Sequence, residues 1–235
     1  MDITTPSGQP VNILGIGGNP KMDRACVPLA YDAGINYFFF YDFTHRSLIE
    51  GLKPIVDTYR DNVVVATGTE LRDVNAVTQY LEEIFQTLNL DMLDIFYIEY
   101  ISPSEDLDEL LAIDGVFDLL QTWKEKGLIR YVGATAHNRP ATVELIKSGK
   151  VDVMMHRYNV AHRGAEDHRL RAARAVRLGP PGLVRLPSRE PRKHRRLRQG
   201  LARGPGSWMD HSDSTAGRSP GGWGCALCRI LRSRP

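Results

Sequence analysis

Apolar and polar positions follow two different periods along the first two thirds of the chain. Short runs that are apolar, β-branched or aromatic on nearly every residue recur at 11–16, 36–41, 62–67, 92–98, 129–134 and 151–155. A strand with one wet face alternates apolar and polar residues. Strands that are apolar throughout are those covered on both faces, as in a parallel sheet flanked by helices. Between these runs lie helix-period stretches. Cys26, Leu29, Ala30 and Ala33 make one stripe, with Gly34 as its C-terminal stop. Val77, Tyr80, Leu81, Ile84, Phe85 and Leu88 make a second, with Asp73 as N-cap. Val116, Leu119, Leu120 and Trp123 make a third, closing on Lys124, Lys126 and Gly127, which suit a helix C-terminus. Pro140 fits the first position of a further helix that stops at Gly149.

Six strands with five intervening helices predict an α/β protein whose parallel strands are joined by right-handed crossovers. An open doubly wound sheet and part of a (β/α)8 barrel of TIM type both fit that order. Gly15-Ile16-Gly17-Gly18 lacks the third glycine of a dinucleotide-binding fingerprint and runs into Asn19-Pro20. This favours the barrel without deciding the matter.

Charge divides the chain. Residues 1–167 carry 14 Lys+Arg against 25 Asp+Glu, a formal net charge of −11; residues 168–235 carry 16 against 3, or +13. All 7 Phe and all 9 Tyr precede the seam, and 15 of the later cations are Arg. The whole-chain value of +2 therefore describes neither part. Residues 168–235 show no sustained helical or strand period. Three readings compete for them: a basic arm on nucleic acid, a zinc site at Cys225-Ala226-Leu227-Cys228, and out-of-frame translation of GC-rich DNA. Arg189–Arg198 is the best support for the first, but the aromatic interleaving of single-strand binders is missing. The cysteine pair has no second ligand pair at suitable spacing. Out-of-frame translation is favoured, because Arg, Gly, Pro and Ala, whose codons are rich in G and C, rise together at the seam. The predicted organisation is thus 1–167 as a partial barrel and 168–235 as a basic tail without a core of its own. Three cysteines make no disulfide framework, no apolar run is long enough to cross a bilayer, and the first residues are not those of a signal peptide. A cytoplasmic protein is expected.

Several segments together carry a resemblance: Leu14-Gly15-Ile16-Gly17-Gly18, Ala33-Gly34-Ile35-Asn36-Tyr37-Phe38, Val63-Val64-Val65-Ala66-Thr67, Leu93-Asp94-Ile95-Phe96-Tyr97-Ile98 and Trp123 through Gly133. With the region 153–166, in this order and spacing, they resemble the aldo-keto reductase superfamily over about residues 10–167. The resemblance implies a (β/α)8 barrel, here incomplete at about six strands. It also implies NADPH-dependent reduction of a small carbonyl substrate. In that family a Tyr protonates the carbonyl oxygen, an Asp-paired Lys lowers its pKa, and a His orients the carbonyl. Read without gaps, the Asp position is Phe39, the Lys position Gly68 and the His position Glu99. The Tyr position falls at Thr44–His45. The groups that would hold the nicotinamide carboxamide read Thr135-Ala136 and His156, with Arg157 beside the latter. The tetrad is therefore not retained, and inactive or altered chemistry is expected. Most contacts to the cofactor phosphates, and strands 7 and 8, would come from beyond the seam.

The active face of a parallel barrel lies at the C-terminal strand ends. There the chain puts Tyr41, Asp42 and His45, then Glu99 and Tyr100, then His137, then His156 and Arg157. Asp42, Glu99, His137 and His156 are the candidate catalytic residues; Thr135, His156 and Arg157 are the candidate cofactor contacts. Asp42 also reads as the family Asp displaced by three residues. One alternative is a different barrel enzyme that uses Glu99, His137 and His156, possibly with metal assistance; none of these residues is assigned as a metal ligand. Another is a non-enzymatic binding module with a nucleic-acid-binding tail. In the bland reading Glu99 pairs with Arg157 or another cation and the histidines satisfy loop backbone. By the same logic the aromatic run 37–41 is strand core, Ser104–Glu109 is a solvated helix start, and Cys26 is a packing residue.

Overall fold

Strand and helix alternate in the computed structural model, which describes residues 3–136, 138–155 and 227–229, the last three and Arg139 by their backbone alone. The parallel strands are β1 (Leu14–Gly17), β2 (Tyr37–Phe40), β3 (Val64–Thr69), β4 (Leu93–Ile101), β5 (Ile129–Ala136) and β6 (Val153–Met155). The helices are α1 (Cys26–Asp32), α2 (Arg46–Tyr59), α3 (Val74–Leu88), α4 (Leu107–Leu110), α5 (Val116–Glu125) and α6 (Arg139–Lys147). The strands lie side by side in chain order, all parallel from β1 to β6. They form a curled half-barrel, an incomplete TIM-type α/β barrel.

A seventh short strand, β7 (Leu227–Arg229), pairs antiparallel with β1. A tail segment that shows no sustained strand period in the sequence thus covers the β1 edge of the sheet. Among the described residues, β6 has β5 as its single neighbour.

The sheet buries both faces, as the apolar strands predict. On the outer face Phe38, Phe40, Val65, Phe96, Ile98 and Val132 pack beneath the helices with Leu52, Ile84, Leu120 and Trp123. On the inner face Tyr37, Phe39, Val64, Ala66, Ile95, Tyr97 and Tyr131 form a separate cluster with Val11. Ring contacts bind this inner layer: Phe39 meets Tyr97 edge-on at 5.7 Å, and the Tyr37 and Tyr97 hydroxyls are 3.1 Å apart. Gly133 makes the layer possible, because a Cβ there would run into the Tyr97 ring. Tyr41, by contrast, is exposed, so the aromatic run is core only from Tyr37 to Phe40.

The helix stripes hold with two corrections. Asp73 caps α3 as expected, its carboxylate accepting from Ala76 N–H at 2.8 Å. Val77, Leu81, Ile84 and Leu88 are buried on that helix. On α1, however, Val27 and Ala30 are the buried pair, while Leu29 and Cys26 are exposed. Cys26 is thus no packing residue. The stripe was assigned by period alone, and in a helix of 7 residues the neighbouring stripe fits equally well. On α2 Leu48, Ile49, Leu52, Ile55 and Val56 bury one face at helical spacing, despite Pro54 in its interior.

At the N-terminal ends of the strands Asp94, fully buried, accepts from Arg60 at 2.9 Å, Arg130 at 2.8 Å and Val65 N–H at 2.9 Å. Arg130 also donates to the Thr4 carbonyl at 2.8 Å, which ties the N-terminal segment across this end of the sheet.

Candidate active site

The other end of the sheet, where β2 to β5 stop, carries the candidate residues. Glu99 follows Ile95 and Tyr97 along the inner face of β4, and Gly68 faces it from β3. A Cβ on Gly68 would lie 2.6 Å from Glu99 Oε1. The Glu99 carboxyl therefore fills the space a longer residue at 68 would need. Glu99 is 2% exposed, and its Oε1 has no hydrogen-bond partner among the described residues. Burial pushes its pKa up to about 9, helped by the carboxylates of Glu70 and Asp42 and opposed by Arg72. The shift favours the neutral carboxylic acid, which has a proton to donate.

The end of β4 is distorted around this residue. The register with β5 shifts between Ile98 and Ile101, a β-bulge. Within it Tyr100 takes a left-handed backbone, φ 53°, and stands exposed. Tyr100 N–H donates to the Thr135 hydroxyl at 2.7 Å. Arg72 donates to the Glu99 carbonyl at 2.8 Å and to the Glu105 carboxylate at 2.5 Å. Glu105 in turn accepts from Ser102 N–H at 2.6 Å. Burial disfavours the charged Glu105, but the Arg72 and Ser102 bonds outweigh it and hold the carboxyl below the usual range. Ser104–Glu109 is thus not simply a solvated helix start. Asp106 caps α4, accepting from Asp108 N–H at 2.9 Å, and Glu105 belongs to the bulge.

The loop after β2 brings in Asp42 and His45. Asp42 is exposed and accepts from Thr44 N–H at 2.8 Å and from the Thr44 hydroxyl. Asp42, Phe43, Thr44 and Arg46 line a shallow, open hollow at the surface. His45 is buried, and its Nδ1 accepts from Tyr41 N–H at 3.1 Å. Burial lowers its pKa despite Asp42, so the neutral ring that this acceptor bond needs is favoured. Tyr80 of α3 reaches the same rim and donates to the Tyr41 carbonyl at 3.2 Å. Burial pushes its phenol up to about 12, against a hydrogen bond with Thr67, with Glu99, Asp42 and Glu83 adding to the rise. It is a tyrosine further from ionisation than a free one.

Of the residues predicted from sequence, Asp42, Glu99 and Thr135 meet at this end of the sheet. His137, His156 and Arg157 lie outside the described residues, as do Arg189–Arg198 and Cys225. The ion pair expected for the Glu99 carboxylate is not made among the described residues; Arg72 binds its carbonyl instead. Among the described residues no three metal-ligating side chains cluster, and no helix is long and apolar enough to cross a membrane. Arg72 and Glu105 carry no mark in the sequence that sets them apart from surface residues, and Tyr80 reads there only as part of an apolar helix stripe. Gly68 does carry one: a glycine inside a buried strand signals close approach of a neighbour.

The aldo/keto reductase family model matches residues 19–175. The chain belongs to the aldo/keto reductase family. Solved structures of the family share its fold at low identity. An aldo/keto reductase from Klebsiella pneumoniae in complex with NADP and acetate superposes with a TM-score of 0.59 at 15% identity, over 74% of this chain and 64% of that one. One from Brucella melitensis gives 0.57 at 16%, over 75% and 70%. A holo-form aldo-keto reductase from Bacillus halodurans gives 0.56 at 18%, over 67% and 57%. The chain thus spans between 57% and 70% of the length of these family members. No curated protein sequence matches it.

Proposed function

We propose that this family member has lost or altered the standard NADPH-dependent carbonyl reduction, and that Glu99 is the working group of its rim. Glu99 would present a neutral carboxylic acid to a small carbonyl-bearing molecule. One observation carries the reading: the Glu99 carboxyl is buried against Gly68 with an oxygen that has no partner among the described residues, at positions where the resemblance expects a His and a Lys. A glycine cannot lower the pKa of a tyrosine, and Phe39, buried among Tyr41 and Tyr97, cannot hold a lysine. A protonated carboxyl in an apolar site can still donate a hydrogen bond to a carbonyl oxygen.

Two of the three candidate cofactor contacts, His156 and Arg157, lie outside the described residues. The third, Thr135, accepts from Tyr100 N–H through its hydroxyl, a bond that does not use the hydroxyl's own proton. Titrating the intrinsic fluorescence of NADPH against the full chain, followed by assay with a simple aldehyde, checks the reading. No turnover is expected; saturable binding with turnover would overturn it.

The proposal extends to the tail. Residues 168–235 are read as out-of-frame translation following a partial barrel at 1–167, supported by the charge reversal at the seam. The DNA sequence around that codon tests it: a frame shift there should yield further strand–helix units, and finding none removes the idea. A cytoplasmic location is part of the same proposal and rests on a cysteine content of 3 with no disulfide framework.

A further inference from the structure

The register shift in β4 does more than bend a strand. In a regular pleat, side chains alternate faces, so Glu99 and Ile101 would share one face. Here Glu99 lies on the inner face against Gly68, while Ile101 is buried with Ile98 in the helix-side core. The extra residue, Tyr100, absorbs the change of parity in a backbone conformation that costs a non-glycine residue energy. Such a conformation persists only where its surroundings hold it, and three side chains do. The Thr135 hydroxyl takes the Tyr100 N–H at 2.7 Å. Arg72 grips the Glu99 carbonyl at 2.8 Å, and Glu105 fixes Arg72 while binding Ser102 N–H at 2.6 Å beyond the bulge. Each bond goes to the β4 end or to a residue that binds it, and none to the Glu99 carboxyl.

We propose that Arg72, Glu105 and Thr135 are positioning residues for Glu99, holding the bulge that keeps its carboxyl on the inner face of the sheet. The proposal rests on Glu99 as the acid of the site. Thr135 then serves the bulge rather than a cofactor.

The charged and titratable groups acting on Glu99 are Asp42 after β2, Glu70 and Arg72 after β3, and, through its coupling to Glu99, Tyr80 on α3. A test must separate their charge from geometry. Infrared difference spectra of the full chain against Glu99→Gln, taken from neutral to alkaline pH, isolate the carbonyl stretch of the protonated carboxyl. Thr135→Val removes the acceptor without changing charge, and Arg72→Lys keeps the charge but loses the two-way grip. In both variants the carboxyl should reach water, and the titration midpoint should fall by at least about one pH unit. Thr135→Ser should restore it. Loss of the Arg72 charge alone would move the midpoint upward, so the direction distinguishes the two effects. Circular dichroism at mildly acid pH verifies that each variant is folded. Unmoved midpoints in folded Thr135→Val and Arg72→Lys would overturn the positioning role and leave Glu99 as the acid. The absence of the band from the unmutated chain would overturn both.

Discussion

Glu99 concentrates the chemistry of the described residues because two neighbours are missing from it: a partner for its Oε1 and a side chain at Gly68. Burial, with Glu70 and Asp42 nearby, makes the charged form costly, so the folded state holds the proton that an unfolded chain releases near pH 4.5. Stability from this group is complete below that value and declines as pH rises towards about 9. The slope is at most about 1.4 kcal/mol per pH unit. Glu99→Gln should therefore flatten the decline and raise stability at mildly alkaline pH, measured as urea midpoints across the range. An unchanged pH profile would contradict a neutral Glu99. His45 acts in the opposite sense: its lowered pKa means stability present above about 6.5 and lost on acidification. Glu99 was legible as a candidate from its place at the C-terminal end of a predicted strand, where the resemblance expects a His. That it lacks a cation partner among the described residues was not, since pairing depends on which residues the fold brings near.

At the scale of elements, the strands were legible because a strand covered on both faces has no polar positions to spare. Their ends were less so: β4 runs to Ile101, three residues past the predicted end, through the bulge. No local pattern encodes a bulge held by Arg72 from another loop. The inner layer depends on small residues opposite rings, and β5 gives the clearest case. Gly133→Ala should force the Tyr97 ring to move, with a cost of about 1–3 kcal/mol seen as a lower melting temperature. A melting temperature equal to that of the parent chain would mean the inner layer is looser than these contacts imply. On α3 the expected cap is real, so Asp73→Ala should cost about 1 kcal/mol in chemical denaturation. The α1 stripe fails where the α3 stripe succeeds because a helix of two turns has too few positions for its period to select one face.

At the scale of the whole molecule, the Asp94 cluster joins the loop after α2, the sheet and the N-terminal segment at one end of the half-barrel. Asp94→Ala would leave Arg60 and Arg130 without their buried counter-charge, and a loss of about 3–5 kcal/mol is expected. Equilibrium unfolding measures it; a loss below about 1 kcal/mol would place the pairs in the class of weak surface bridges. By itself the sequence determined the alternation of buried strands and helices, the family, and the charge seam. Each of these is written in periods and local composition. The tertiary structure decided what depends on residues far apart in the chain. It set Glu99 against Gly68, pinned the bulge with Arg72 and Thr135, and laid β7 on the edge of β1. A hydrophobic pattern specifies which face of an element is covered; only the folded chain determines what covers it, and therefore which polar atom is left unpaired.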